Sequence, residues 1–240
     1  MPHLILSDIH GNLEALQAVL ADAEGKYDRI LCLGDLVGYG ADPNAVVEWA
    51  REGADALVRG NHDKDCCNRD PLDHYRAVAI ASTIWTRAQL TPASVQYLQA
   101  MPRGPLRYED FDLVHGSPAD EDEYLLTPAD AGNLLPCLEA QVTFFGHTHV
   151  QGGFLITPRG AKTIDPGGAL EMEPDYFYLV NPGAVGQPRD GDPRAAYALY
   201  WPREQAVEYR RVPYDVAQAA GKIQAAGLPR PLVDRLFMGL

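Results

Sequence analysis

Five short motifs carry the residues whose types and spacing suit chemistry: Asp8-Ile9-His10, Gly34-Asp35, Gly60-Asn61-His62-Asp63, His115-Gly116 and Gly146-His147-Thr148-His149. Asp8 and His10 stand two residues apart. On an extended backbone, side chains at i and i+2 project to the same side, so a carboxylate and an imidazole there can grip one ion. Gly11 then lets the chain turn sharply. Asp35 has two carboxylate oxygens and can bridge two cations. Asn61 offers a neutral carbonyl oxygen, and His115, His147 and His149 add three imidazoles. All seven donors are nitrogen or oxygen. A set without thiolate points to manganese, iron, nickel, cobalt or zinc rather than to a structural zinc site built from cysteine. A lone histidine after a strand is usually a core or surface residue, and Asp or Asn at a strand end is often a turn residue or helix cap. Here that coincidence would have to recur at five motifs.

The elements that must position these motifs alternate in type. Apolar runs at residues 3–6, 29–33 and 54–58 read as strands. Residues 12–23 carry Leu13, Leu16, Val19 and Leu20 at a helical period, and Asp42-Pro43 opens a second helix with Val46, Val47 and Trp49 on or near its buried face. This rhythm predicts a parallel or mixed sheet covered by helices, with ligands at the carboxyl ends of its strands. Residues 64 to about 105 change character: 72–90 and 92–101 read as helices, an insertion that could lie over the site. Strands resume at 111–114 and 142–145, each followed at once by a histidine motif. Further strands are expected at 153–156, 176–180, 195–201 and 206–211, and one or two helices over about 214–240.

Bulk properties narrow the function classes. The chain has 240 residues, a length that suits one α/β domain with an insertion, residues 1–240. Its 20 basic and 33 acidic side chains leave a net charge of −13. Such a surface repels nucleic-acid backbones and anionic membranes, yet it permits a phosphate substrate where bound cations reverse the local sign. The segment MPHLILSDIH lacks the basic start of a signal peptide. No stretch approaches the ~20 apolar residues of a membrane span. Cys32, Cys66, Cys67 and Cys137 have no zinc-finger spacing, and an adjacent pair suits few disulfides. Buried or half-buried thiols in a reducing compartment, the cytoplasm, are the expectation.

Taken together, the motifs over residues 8–149 resemble the calcineurin-like metallophosphoesterase superfamily. Asn181-Pro182-Gly183-Ala184-Val185 is similar to the Asn-Pro-Gly-Ser pattern of its small prokaryotic phosphodiesterases. The resemblance implies a four-layer α-β-β-α sandwich of two mixed sheets with the site at its edge. It implies two divalent ions, manganese foremost: Asp8, His10 and His149 on one, Asn61, His115 and His147 on the other, and Asp35 between them. It further implies a metal-bridging hydroxide as nucleophile, with His62 beside the phosphate to protonate the leaving oxygen or stabilise charge.

One departure bears on the substrate. Gly38 and Tyr39 stand where the superfamily's phosphoprotein phosphatases carry Asp-Arg. That weighs against a protein Ser/Thr phosphatase and for a small organic phosphodiester or phosphomonoester, nucleotides included. Asp63 could support the site or cap a helix. Candidate substrate contacts are Asn12, which could equally be a cap, and Arg59, Arg189 and Arg194. Arginine grips phosphate with a two-toothed fork, although an exposed arginine ordinarily sits in a surface ion pair. Tyr39 and Tyr124 could stack on a nucleobase. Two other classes compete. An interaction scaffold of this fold is expected to have lost ligands, whereas every ligand position is filled here. A nuclease is opposed by the acidic charge and the lack of a basic stripe.

Overall fold

This computed structural model describes residues 1–68, 70–73 and 75–240. In chain order the elements are β1 (His3–Leu6), α1 (Leu13–Ala23), β2 (Arg29–Cys32), α2 (Pro43–Gly53), β3 (Ala56–Leu57), α3 (Asn61–Cys67), α4 (Ala77–Gln89), α5 (Pro92–Ala100), β4 (Leu106–Tyr108) and β5 (Phe111–Leu113). They continue with α6 (Pro128–Asn133), β6 (Val142–Phe144), β7 (Gly152–Thr157), β8 (Gly160–Ile164), β9 (Ala169–Glu171), β10 (Phe177–Asn181), β11 (Ala195–Trp201), β12 (Ala206–Val212), α7 (Val216–Ala225) and α8 (Arg230–Met238).

Strands that are apolar on both faces need cover on both faces, and the fold supplies it. In β1, Leu4 and Leu6 pack toward helices while Ile5 packs between two sheets. Within β11, Tyr197 and Leu199 do the former and Ala198 and Tyr200 the latter. The first sheet runs β3-β2-β1-β11-β12-β9 and the second β4-β5-β6-β10-β7-β8. Phe111, Phe144, Tyr178 and Tyr200 fill the space between them. Helices α1 and α2 cover the outer face of the first sheet through Leu16, Val19, Val46 and Val47. On the second sheet, α6 packs its Ala131 against Phe145, Phe154 and Leu179. These are the four layers and two mixed sheets expected from the motifs.

Each sheet contains a parallel trio. β3, β2 and β1 are mutually parallel at one edge of the first sheet, with antiparallel β11 beside β1, and β5, β6 and β10 are mutually parallel inside the second, with antiparallel β4 and β7 on either side. All five motifs therefore follow parallel strands.

Several sequence expectations shift. The expected 72–90 helix begins only at Ala77, and α3 was not foreseen because its polar sequence NHDKDCC has no apolar period. β4, β8 and β9 are short and mostly exposed, so they lack the alternation that marks a half-buried strand. The expected insertion contains Arg69 and His74, which lie outside the described residues. Within it, α5 joins the α1–α2 core through Leu98, together with Met101 just beyond its end. Meanwhile α4 packs with α7 and α8 around Tyr39, Ala79, Ile223 and Leu232. Cys137 is exposed, contrary to expectation, whereas Cys32 and Cys66 are buried; all four thiols are free. Among the described residues, no helix is long and apolar enough to cross a membrane.

Candidate metal centre

The carboxyl ends of β1, β2 and β3 in one sheet and β5 and β6 in the other deliver the seven donors to one place. Asp8, His10, Asp35 and His149 form one group of mutually close ligand atoms, and Asp35, His115 and His147 form a second. Asp35 belongs to both. One of its oxygens, Oδ2, lies 3.5 Å from His10 Nε2 and 3.4 Å from His115 Nε2. His10 Nε2 is 3.2 Å from His149 Nε2, which is 3.3 Å from Asp8 Oδ1. Across the site, His115 Nε2 is 3.1 Å from both Asn61 Oδ1 and His147 Nδ1. All seven side chains are buried.

Each imidazole is aimed by its outer nitrogen. His10 Nδ1 donates to the Val37 carbonyl (2.9 Å), His115 Nδ1 to Leu33 (2.8 Å), His149 Nδ1 to Gln187 (2.6 Å) and His147 Nε2 to Asp122 (3.1 Å). Such bonds fix the tautomer, so that a neutral ring presents its inner nitrogen with a lone pair. Asn61 is aimed by side chains instead. Its amide donates to the Tyr75 hydroxyl (2.5 Å), which donates to Asp65 (2.8 Å). Neither Tyr75 nor Asp65 was singled out in the sequence, because nothing local marks them.

The backbone is forced to serve this geometry. Asp8, His10, Asp35, His147 and His149 all have left-handed φ values between 49° and 66°. Non-glycine residues seldom adopt that region, and such strain collects at functional sites. It also corrects the sequence argument: Asp8 and His10 converge through two left-handed turns, not an extended strand. Gly60 is required beside them, since a Cβ there would fall 2.1 Å from Asp35 Oδ1. Asp63 ties two of the loops together. Its carboxylate accepts the N–H groups of Asp35, Leu36, Val37 and Gly60 at 2.7–3.2 Å. It thus caps α3 and supports the site at once. Asn181, at the end of β10, donates to the Gly146 carbonyl and Thr148 Oγ1 and holds the loop of His147 and His149.

Charge placement fits bound cations. Burial pushes His147 down to about 3 and lowers His10 and His149 well below the usual imidazole range. These rings stay neutral, the form that binds metal. The inner nitrogens of His10 and His149 therefore face each other across 3.2 Å as two lone pairs, an arrangement that a cation between them relieves. Burial opposes the charge of His115, but the Asp35 carboxylate outweighs it and raises His115 to about 10. A metal bound there would take the place of that proton.

The remaining candidates separate clearly. His62 is buried beside the cluster, with its N–H on Asp35 Oδ1 (2.9 Å) and its Nε2 3.0 Å from the Tyr39 hydroxyl. Among the described residues its Nδ1 has no partner, and it faces Gly38. Tyr39 is held by its N–H on Ser82 Oγ (2.6 Å). Arg189 lies over the Tyr39 ring, 5.8 Å from its centre, and Tyr124 stacks on His147 at 3.8 Å. Arg59 is turned away into a two-toothed pair with Glu121 (2.9 and 2.9 Å), and Arg194 is paired with neighbouring Asp192. Asn12 is a cap: its oxygen accepts from Ala15 N–H, and its amide donates to the Gly186 carbonyl and Tyr214. The structure thus brings Arg189 to the site and commits Arg59, Arg194 and Asn12 elsewhere.

Donors of nitrogen and oxygen alone, gathered where two mixed sheets share an edge, define a metal-binding α/β sandwich. Comparison with known proteins gives the family: the chain belongs to the calcineurin-like phosphoesterase superfamily, whose domain model matches residues 1–203. An uncharacterised protein of Methanocaldococcus jannaschii is 34% identical over 98% of this chain and 97% of its own length. A metallophosphoesterase from Sphaerobacter thermophilus is 41% identical, with a TM-score of 0.88 over 100% of this chain and 99% of that one. A hypothetical protein from Pyrococcus horikoshii shares the fold at 20% identity, with a TM-score of 0.82 over 100% and 98% of the two chains.

Proposed function

We propose that this chain hydrolyses a small organic phosphodiester or phosphomonoester with the aid of two divalent ions. The observation that carries the reading is the meeting of two donor groups at one buried Asp35 oxygen. Asp8, His10 and His149 would hold one ion, Asn61, His115 and His147 the other, and Asp35 both. The similarity to a metallophosphoesterase from Sphaerobacter thermophilus supports the same reaction class. Manganese, iron, nickel, cobalt and zinc all suit the donors.

When bound, such ions neutralise phosphoryl charge and acidify water enough to supply hydroxide near neutral pH. The chain's own residues do the rest. The anchored imidazoles keep their donors aimed inward without reorganisation. As the imidazolium, His62 would pass its Nε2 proton to the leaving oxygen and return to neutral imidazole, and the Tyr39 hydroxyl directs that nitrogen. Among the described residues, no carboxylate orients the ring from its other side, where Gly38 stands. His62 therefore depends on a phenol where the superfamily's protein phosphatases use a carboxylate.

The test is a screen of nitrophenyl phosphomonoesters, phosphodiesters and nucleotides against manganese, nickel, cobalt and zinc, with metal content measured in parallel. Close to two ions per chain and metal-stimulated turnover are expected. A purified chain with well below two ions and no metal-stimulated turnover would sink the proposal.

A further inference from the structure

Beside the donor cluster lies an open cavity of about 580 Å³ whose lining includes three arginines, Arg76, Arg189 and Arg235, and three tyrosines, Tyr39, Tyr75 and Tyr124. The arginines come from distant parts of the chain. Arg76 precedes α4, Arg189 follows the Asn-Pro-Gly segment, and Arg235 lies on α8.

Their lack of carboxylate partners among the described residues is informative. Acidic groups outnumber basic ones 33 to 20 in this chain, and arginines elsewhere are readily neutralised. Arg29, Arg59, Arg107, Arg194 and Arg211 each hold a carboxylate. Among the described residues, Arg76, Arg189 and Arg235 make no ion pair. Three unneutralised guanidiniums around one cavity repel one another, and an anion brought by a ligand reverses that cost. A guanidinium fork matches phosphate oxygens two at a time.

The tyrosines are not equivalent. Tyr39 and Tyr75 are occupied with His62 and Asn61. Tyr124 is 47% exposed, with one face on His147 at 3.8 Å. Its outer face is open, and an aromatic face of this kind accepts a stacked base. The volume falls within the range of roughly 300–1,000 Å³ typical of small-molecule sites.

We propose that this cavity is a substrate subsite that takes a second phosphoryl group on Arg76 and Arg235 and a planar base on Tyr124. The substrate is then a nucleotide with at least one phosphate beyond the one attacked. Arg189, over Tyr39 at the boundary with the donors, faces the phosphate at the metal centre. This inference rests on the phosphoesterase reading and narrows it to a substrate class. An oligonucleotide would carry its further phosphates onto an acidic surface, which disfavours it.

The test compares ATP with nitrophenyl phosphate, a single-phosphate ester, on the manganese-loaded full chain. The ratio of kcat/KM for ATP to that for nitrophenyl phosphate is expected to fall about tenfold in Arg76→Ala and in Arg235→Ala. Arg235→Lys, which keeps the charge and loses the fork, should fall between. Calorimetry with the β,γ-imido analogue of ATP provides a reading independent of turnover, and Kd should weaken about tenfold in both alanine variants. An unchanged ratio together with an unchanged Kd overturns the subsite while leaving the phosphoesterase reading intact. Analogue binding that both variants weaken, in a chain that turns over no ester with any metal, overturns the phosphoesterase reading and leaves the subsite standing.

Discussion

In the donor cluster each imidazole is pinned through its outer nitrogen to a backbone carbonyl, whereas in the cavity next to it Arg76 and Arg235 make no ion pair among the described residues and Tyr124 is half exposed. Five of the seven donors sit on strained left-handed backbone. Arg76 and Arg235, by contrast, precede or occupy ordinary helices. The contrast separates two demands. Metal ligands must be held within fractions of an ångström, so strain of about 1–3 kcal/mol per residue is tolerated where the surroundings over-determine it. Groups that meet a substrate can stay adaptable until it arrives, because the substrate itself supplies the missing partner.

Substitutions should respect that division, and the largest effect should come from the shared donor. Asp35→Asn should cut turnover by about 1,000-fold or more and loosen both ions; metal analysis beside the rate measurement checks both halves. Loss of a single ion would mean that the two groups are not joined at Asp35. His62→Ala should lower turnover about 100-fold with metal content nearly intact. If metal is stripped as well, His62 belongs to the pinned cluster and not to the chemistry beside it. Tyr39→Phe keeps the ring against His10 and His62 and deletes only the hydroxyl, so kcat should fall about tenfold with KM and metal content little changed. An effect confined to KM would move Tyr39 to the substrate side of the comparison.

A stability readout sharpens the same boundary. Asp63→Asn removes one of the oxygens that collect four backbone N–H groups and should cost about 2 kcal/mol, seen in denaturant unfolding of the full chain. The smallest effect belongs to Arg194→Ala. That side chain is half exposed and paired with Asp192, so it should change stability by less than about 0.5 kcal/mol and kcat/KM by less than twofold. A large loss of activity would return Arg194 to the site.

Much of the site was legible because it is built from local signals. An apolar run ending in Asp, Asn or His declares both the strand and the donor at its carboxyl end, and all seven donors were named on that basis. Cap chemistry was legible for the same reason: Asn12 lies just ahead of an apolar period. Even the Arg194–Asp192 pair is local, two residues apart. Arg59 was not legible in this way, since its partner Glu121 lies 62 residues away.

By itself, then, the sequence determined the donor types, the alternation of strands and helices, and the acidic charge that makes cations valuable to a phosphate site. These depend on short-range patterning and composition. Only the tertiary structure decided that Asp8 and His10 converge through left-handed turns, that Asp63 gathers two loops, that Tyr75 aims Asn61, and that three arginines without an ion pair among the described residues share one cavity. Each of those facts is a contact between segments distant in the chain, or a backbone angle imposed by such a contact. Packing sets them, and no local run of residues encodes them.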